Sequence, residues 1–199
     1  MILVDLEQNS PEWFAEKLGK PSASNASKII TNSGEISKQR EGYLYELAGE
    51  RITGRREEGY QNAFMQTGNE RQDESRNLYE LMHECEVQKV GVIYKDEKRR
   101  FLCSPDGIIG KSHGLEMKNV IAKTQVKYLL DGKLPSDYFA QVQMSLYVSG
   151  FDRWDFFTYV PGMKPFILKV GRDEKYIRAL SIELEVFCQQ LDEITEKIK

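Results

Sequence analysis

The sequence predicts a mixed α/β (α+β) fold, and three observations predict it. Short runs over 86–94, 101–103, 114–119, 154–160 and 165–170 are strand-like, several of them alternating apolar and polar residues. Longer segments between them carry apolar residues at helical spacing. No internal repeat, low-complexity tract or linker divides the 199 residues, so the chain reads as one domain over 1–199 with room for a full core. The expected order is helices, a strand group, two helices, two strands and a final helix.

Residues 1–9 read as a lead-in. Ser10 and Pro11 mark a helix start, with Ser as cap and Pro at the first helical position. That helix covers 12–18 and stops at Gly19. A second helix is expected after Lys20-Pro21-Ser22-Ala23-Ser24, capped by Ser22 or Ser24 and running through Ile29-Ile30. Its free N–H groups, with Lys17 and Lys20 beside them, make a candidate anion site, although a plain capped helix accounts for the same residues. After a loop over 31–37, a helix over 38–53 carries Leu44, Leu47, Ala48 and Ile52 as its apolar stripe and ends at Gly54. Arg51, Arg55 and Arg56 form a small basic cluster, read as a solvated face because Glu57-Glu58 cancel it.

The helical pattern returns over 62–84 with Phe64, Met65, Leu78, Tyr79, Leu81 and Met82. Within it, Glu70 and Glu74 share one face and Gln72 lies on the opposite side. This polar stretch either adds a third group to a site or is solvated. Residues 86–94 alternate as one strand, 96–100 form a charged turn, and Phe101-Leu102-Cys103 opens the next strand. Helices follow over 123–130, ended by Asp131-Gly132, and over 138–148, capped by Ser136-Asp137 and ended by Gly150. The segment 173–199 is one amphipathic helix with Tyr176, Ile177, Leu180, Leu184, Phe187, Leu191 and Ile194 on one face.

The chemistry concentrates between these elements. Ser104-Pro105-Asp106-Gly107 reads as a tight turn, in which Pro presets one dihedral and Gly accepts a positive one. Ten residues after Asp106 comes Glu116-Met117-Lys118, on a strand whose period puts Leu115 and Met117 on one face and Glu116 and Lys118 on the other. Glycines at 107, 110 and 114 punctuate a hairpin that would return Asp106 beside Glu116. Two carboxylates and an ammonium then converge at a sheet edge. Mg²⁺ takes oxygen ligands of this kind, and the lysine can orient a water or neutralise charge on a phosphate. This is the form of a PD-(D/E)xK nuclease site. An ordinary polar hairpin with a solvated ion pair accounts for the same local pattern.

Composition narrows the classes. A 40% hydrophobic fraction fits a globular chain rather than a disordered one. The net charge of −3 argues against a protein that coats nucleic acid through a global basic field, and leaves a local groove open. Three cysteines without a CxxC suggest a reduced compartment, with Cys103 a buried strand residue rather than a nucleophile. His83 and His113 are too few and too far apart for zinc. With no apolar run of transmembrane length and no signal-like N-terminus, a soluble, unexported, cytoplasmic protein is expected, with no membrane partner.

Taken in order, the motifs resemble the lambda exonuclease family of phage recombination nucleases, also called the YqaJ-like viral recombinase family. Four blocks carry the resemblance, over nearly the whole chain: Trp13, Lys17, Gly19 and Ser22-Ala23-Ser24; the stretch 68–76 followed by Leu78-Tyr79-Glu80; Ser104-Pro105-Asp106-Gly107 with Leu115-Glu116-Met117-Lys118; and Ala140-Gln141-Val142-Gln143 with Tyr147. Asp173-Glu174-Lys175-Tyr176 before the last helix also matches. The resemblance implies a restriction-endonuclease-like core, a central mixed sheet flanked by helices. It implies Mg²⁺-dependent 5′-to-3′ degradation of one strand of linear double-stranded DNA, with Mn²⁺ a possible substitute and two ions expected. It implies a homotrimeric ring around DNA, a single-strand annealing protein as partner, and the host cytoplasm as location. Asp106 and Glu116 would hold the metals, Lys118 would activate or position the attacking water, and Gln141 would assist at that water or at the lysine. Ser24 and Ser104 match positions that hold the 5′ phosphate, with Ser22 beside them. Lys17 stands where the family has an arginine, and so offers a point charge without the bidentate fork. Lys123 is a candidate for a second family arginine, and Trp13 for a wedge at the duplex end, although a tryptophan on a helix is more often a core residue.

One departure bears on mechanism. Where the family's helix offers a glutamate to the metal, this chain aligns Gln72, which brings an oxygen without a charge; Glu70 or Glu74 would replace it after a change of register. Two further readings follow: an endonuclease on the same core, and a catalytically weak DNA-end-binding protein.

Overall fold

The computed structural model describes residues 1–56 and 71–199. Glu70, Phe64, Met65 and the first part of the helix predicted over 62–84 lie outside the described residues. The predicted hairpin is the centre of the fold. Strands β5 (Gly107–Ile109) and β6 (His113–Asn119) pair antiparallel in the register Gly107 to Leu115 and Ile109 to His113. They belong to a five-stranded sheet that also contains β2 (Val87–Gln88), β7 (Arg153–Tyr159) and β8 (Phe166–Gly171), in the order β2-β5-β6-β7-β8. Among the described residues only the β6–β7 pair of that sheet is parallel. Parallel neighbours need a long crossover, supplied here by two helices, α5 (Ala122–Asp131) and α6 (Ser136–Ser149).

A smaller sheet, in the order β1-β3-β4, joins β1 (Ile2–Val4), β3 (Val92–Tyr94) and β4 (Leu102–Cys103). It corrects two expectations. The lead-in contains a strand, too short for its alternation to show. The run 86–94 is two strands in different sheets. The break lies at Gly91, where an added Cβ would come within 2.7 Å of the Leu6 backbone. Beside it the Gln8 side chain donates to the carbonyls of Val90 at 2.9 Å and Pro105 at 2.7 Å, so these groups are satisfied without a ladder.

The remaining α-helices among the described residues are α1 (Pro11–Lys17), α2 (Ala26–Ile29), α3 (Arg40–Thr53), α4 (Gln72–His83) and α7 (Glu174–Ile198). Ser10 caps α1 as expected, accepting from the Trp13 N–H at 3.2 Å. Neither Ser22 nor Ser24 caps a helix: a 3₁₀ turn, Ala23–Asn25, intervenes, and the two hydroxyls bond each other at 3.1 Å. Ser136 is the first residue of α6 rather than its cap. Helix α6 buries Ala140, Val142, Met144, Leu146 and Val148 in the main core, together with Ile29, Leu47, Phe156 and the inner face of α7. That face is the predicted one, with Leu180, Leu184, Phe187 and Leu191 fully buried. Ile52, expected in the α3 stripe, is 40% exposed.

Candidate active site

The β5–β6 hairpin places the two carboxylates as its sequence requires. The Asp106 N–H donates to the Leu115 carbonyl at 3.0 Å, which continues the ladder by one residue. The Asp106 carboxylate accepts the Met117 N–H at 2.6 Å, so the aspartate lies against the strand that carries Glu116. The alternation along β6 then separates the faces. Leu115 and Met117 pack with Tyr79, Val87 and Phe157. On the other face Glu116, buried, accepts from Lys118 Nζ at 2.5 Å and from Gln141 Nε2 at 2.7 Å. Tyr138, one turn before Gln141 on α6, lies 5.4 Å beneath the Lys118 ammonium.

The acidic pair is flanked by two amides arriving from opposite sides. Gln141 comes from α6 to Glu116, and Gln72, at the start of α4, donates to Asp106 at 2.6 Å. Gln72 is therefore the α4 residue that meets the Asp106 carboxylate, while Glu74 is exposed to solvent. Arg76, one turn further and buried, donates to the Asp106 carbonyl at 3.3 Å. Burial and the neighbouring Glu116 push the Asp106 carboxyl well above the usual carboxylate range. Burial works against the Lys118 charge, but Glu116 and Asp106 outweigh it and hold the ammonium above its ordinary pKa.

These donors fit a hard divalent cation. Two adjacent, partly desolvated carboxylates repel each other, and an ion that takes one or two carboxylates plus water and phosphate oxygens relieves that repulsion. Gln72 can add a neutral carbonyl oxygen through its amide. Among the described residues no group of three or more His, Cys, Asp or Glu side chains is placed to hold a metal. Cys103 is fully buried, and burial together with Glu116 pushes its thiol far up, which suits a packing residue and not a nucleophile.

A polar cavity opens nearby, lined by Lys17, Lys20, Ser22, Ser24, Glu50 and Arg56 among others. Lys17 links it to the acidic pair. Burial and then the charge of Arg56 bring its ammonium down to about 8, while Glu116 is near enough to oppose them. Lys17 Nζ sits 3.6 Å from the centre of the Trp13 ring. Arg56, read as solvated in the sequence, is exposed and also lines this cavity. Arg51, from the same cluster, instead ties α3 to the Gly19 carbonyl at 2.8 Å and to Asp192 at 2.7 Å. The sequence signal for Arg56 was its charge alone, which indicates a solvated face and does not show that the face borders a cavity.

Three candidates take other places. Trp13 is buried, and its indole N–H donates to the Gly91 carbonyl and to Ser104 Oγ, both at 3.0 Å, so it is an internal anchor and not a wedge. Ser104 gives its hydroxyl hydrogen to the same Gly91 carbonyl at 2.5 Å and does not line the cavity. Lys123 is exposed on the first turn of α5, outside the cavity.

The family model of the YqaJ-like viral recombinase domain matches residues 12–152. Among solved structures, an alkaline exonuclease (LHK-Exo) from Laribacter hongkongensis is 29% identical with a TM-score of 0.86, covering 95% of this chain and 96% of that one. LHK-Exo in complex with dAMP matches equally, at 29% identity and TM-score 0.86, over 96% of each chain. A phage-related exonuclease from Haemophilus somnus 129PT shares the fold at 14% identity and TM-score 0.67, over 90% of this chain and 96% of that one. No curated protein matches.

Proposed function

The chain belongs to the YqaJ-like viral recombinase family, and from that premise we propose that it is a DNA exonuclease that degrades one strand of linear duplex DNA from the 5′ end, with Mg²⁺ as its ion. The observation that carries the reading is the convergence of Asp106, Glu116 and Lys118 at one hairpin, flanked by Gln72 and Gln141. The likeness to an alkaline exonuclease over nearly the whole of both chains supports the exonuclease class.

In this reading Asp106 and Glu116 hold the metal, two ions with DNA present, and Gln72 contributes an oxygen. Bound there, Mg²⁺ supplies an activated water and charge stabilisation at the phosphate and the leaving oxygen. The chain's own residues do the rest. Lys118 keeps its proton against Glu116 and offers a fixed positive charge and a donor at the scissile phosphate. Gln141 holds the other side of Glu116 and orients it. Lys17, Ser22 and Ser24, with Arg56 beside them, receive the 5′ phosphate and so set the distance from the strand end to the cut. A fixed end pocket is what turns a nuclease into an exonuclease. A homotrimeric ring and a single-strand annealing partner in phage recombination belong to the same proposal, and rest on the family.

The test uses linear duplex DNA labelled separately at each end, and a closed circle of the same sequence, with Mg²⁺ and with EDTA. Mononucleotides released from 5′ ends, only from linear DNA and only with metal, are expected. Lys118→Ala is expected to cut at least about a hundredfold more slowly, the scale for losing a preorganised charge partner, while still binding DNA. Cutting of the circle would turn the assignment to an endonuclease. End binding without product would turn it to an end-binding protein.

A further inference from the structure

We infer that Asp155 is a positioning residue for the acidic site: through Tyr79 it fixes helix α4 on the sheet, and α4 in turn fixes Gln72 against Asp106. The inference rests on the metal-site reading above. It starts from the polarity of α4. Gln72, Ser75, Arg76 and Tyr79 are spaced i, i+3, i+4 and i+7, which is one helix face. In a helix packed on a sheet that face is ordinarily apolar. Here Ser75, Arg76 and Tyr79 are the buried residues, while Leu81 is 78% and Met82 47% exposed.

Each residue of the inner face ends on a polar group of the sheet or its edge. Gln72 reaches the Asp106 carboxylate at 2.6 Å, Ser75 Oγ the Asn119 side chain at 2.7 Å, Arg76 the Asp106 carbonyl at 3.3 Å, and the Tyr79 hydroxyl Asp155 at 2.7 Å. Apolar contact is non-directional and tolerates a small slide, whereas hydrogen bonds of this length fix register. Tyr79 is the last of the four and is buried. Its ring stands edge-on to Phe157 at 5.5 Å, and its acceptor Asp155 is fully buried on β7, charge-paired with Arg153 at 2.8 Å. Only Asp155 of this pair is buried, Arg153 reaching partly to solvent, and burying a carboxylate is unfavourable compared with apolar packing of the same volume. What this pair adds is a single defined acceptor for Tyr79. Gln72 lies two turns, or about 10 Å, along the axis from that anchor, so a shift there is carried to the site by a rigid helix.

The experiment is calorimetric titration of Mn²⁺ into the full chain without DNA, for wild type, Tyr79→Phe, Gln72→Ala and the double variant, with circular dichroism to confirm folding. Tyr79→Phe keeps the ring packing and removes only the hydrogen bond. It is expected to weaken Mn²⁺ binding about tenfold, the low end for groups that orient a metal ligand. The double variant is expected to bind no more weakly than Gln72→Ala alone, the coupling expected when one residue acts through the other. Asp155→Asn, which retains an acceptor oxygen, is expected to fall between wild type and Tyr79→Phe; should it fail to fold, Tyr79→Phe carries the test. Unchanged Mn²⁺ affinity in Tyr79→Phe, no loss in Gln72→Ala, or additive losses in the double variant overturn the inference while the metal site stands. Absence of Mn²⁺ binding by the wild type overturns the metal site and this inference with it.

Discussion

Lys17 is the residue whose surroundings most clearly ask for a ligand. It is held against the Trp13 ring, beside Arg56 and two serine hydroxyls, and its ammonium is brought down to about 8 from an ordinary 10.5, first by burial and then by Arg56. Between those values the unfolded chain binds more protons than the folded one, so the destabilising contribution of Lys17 is full below pH 8 and fades as pH rises towards 10.5. A phosphate dianion reverses the balance by favouring the charged lysine. The preference for 5′-phosphorylated over 5′-hydroxyl ends is therefore expected to be greatest below pH 8 and to decline above it. Lys17→Ala should reduce that preference about tenfold or more, the scale of a charge-assisted hydrogen bond, and flatten its pH profile. Initial rates on the two kinds of end, measured from pH 7 to 9.5, check both. Equal slowing on both ends would remove the pocket's proposed role.

At the scale of elements, what could be read from the sequence was local. Asp106 and Glu116 stand within one hairpin, so their pairing needs only turn chemistry and a strand period, and it forms as expected. Helix α7 was legible for a similar reason, since its period is sustained over many turns. Helix α4 was legible as a helix but its docked face was not: of Leu78, Tyr79, Leu81 and Met82, Tyr79 is buried while Leu81 and Met82 are exposed. The sheet instead presents Asp155, Asn119 and Asp106 there, and those groups come from strands far away in sequence. Gln72 was placed at the site by family alignment, whereas its bond to Asp106 depends on that docking. The role of α7 can be tested by two substitutions of different kind. Leu184 is fully buried in the main core, and Leu184→Ala is expected to cost about 2–5 kcal/mol. Asp173 caps the helix through the Tyr176 N–H at 2.9 Å, and Asp173→Ala is expected to cost about 1 kcal/mol. Urea unfolding of both variants measures the difference; equal losses would mean that α7 is held by its start rather than by its packed face.

Across the whole molecule the two sheets have different duties. The larger one carries the acidic hairpin and, on its α4 side, the polar docking. The smaller one, with α1 packed on it through Trp13, Val92, Tyr94 and Leu102, supports the cavity around Lys17. The chain has two tryptophans, and they divide between these regions. Trp154 is fully buried in the main core, where it lies against Gly114, whose added Cβ would meet the indole at 2.2 Å. Trp13 instead has a pocket ammonium 3.6 Å from its ring centre. An anion that draws Lys17 towards itself changes the field on that indole and leaves the other in a constant setting. The protein thus contains its own optical gauge: binding of a 5′-phosphorylated duplex end, with EDTA present to prevent cutting, should alter the emission of about half of the tryptophan signal, and Lys17→Met should abolish the response.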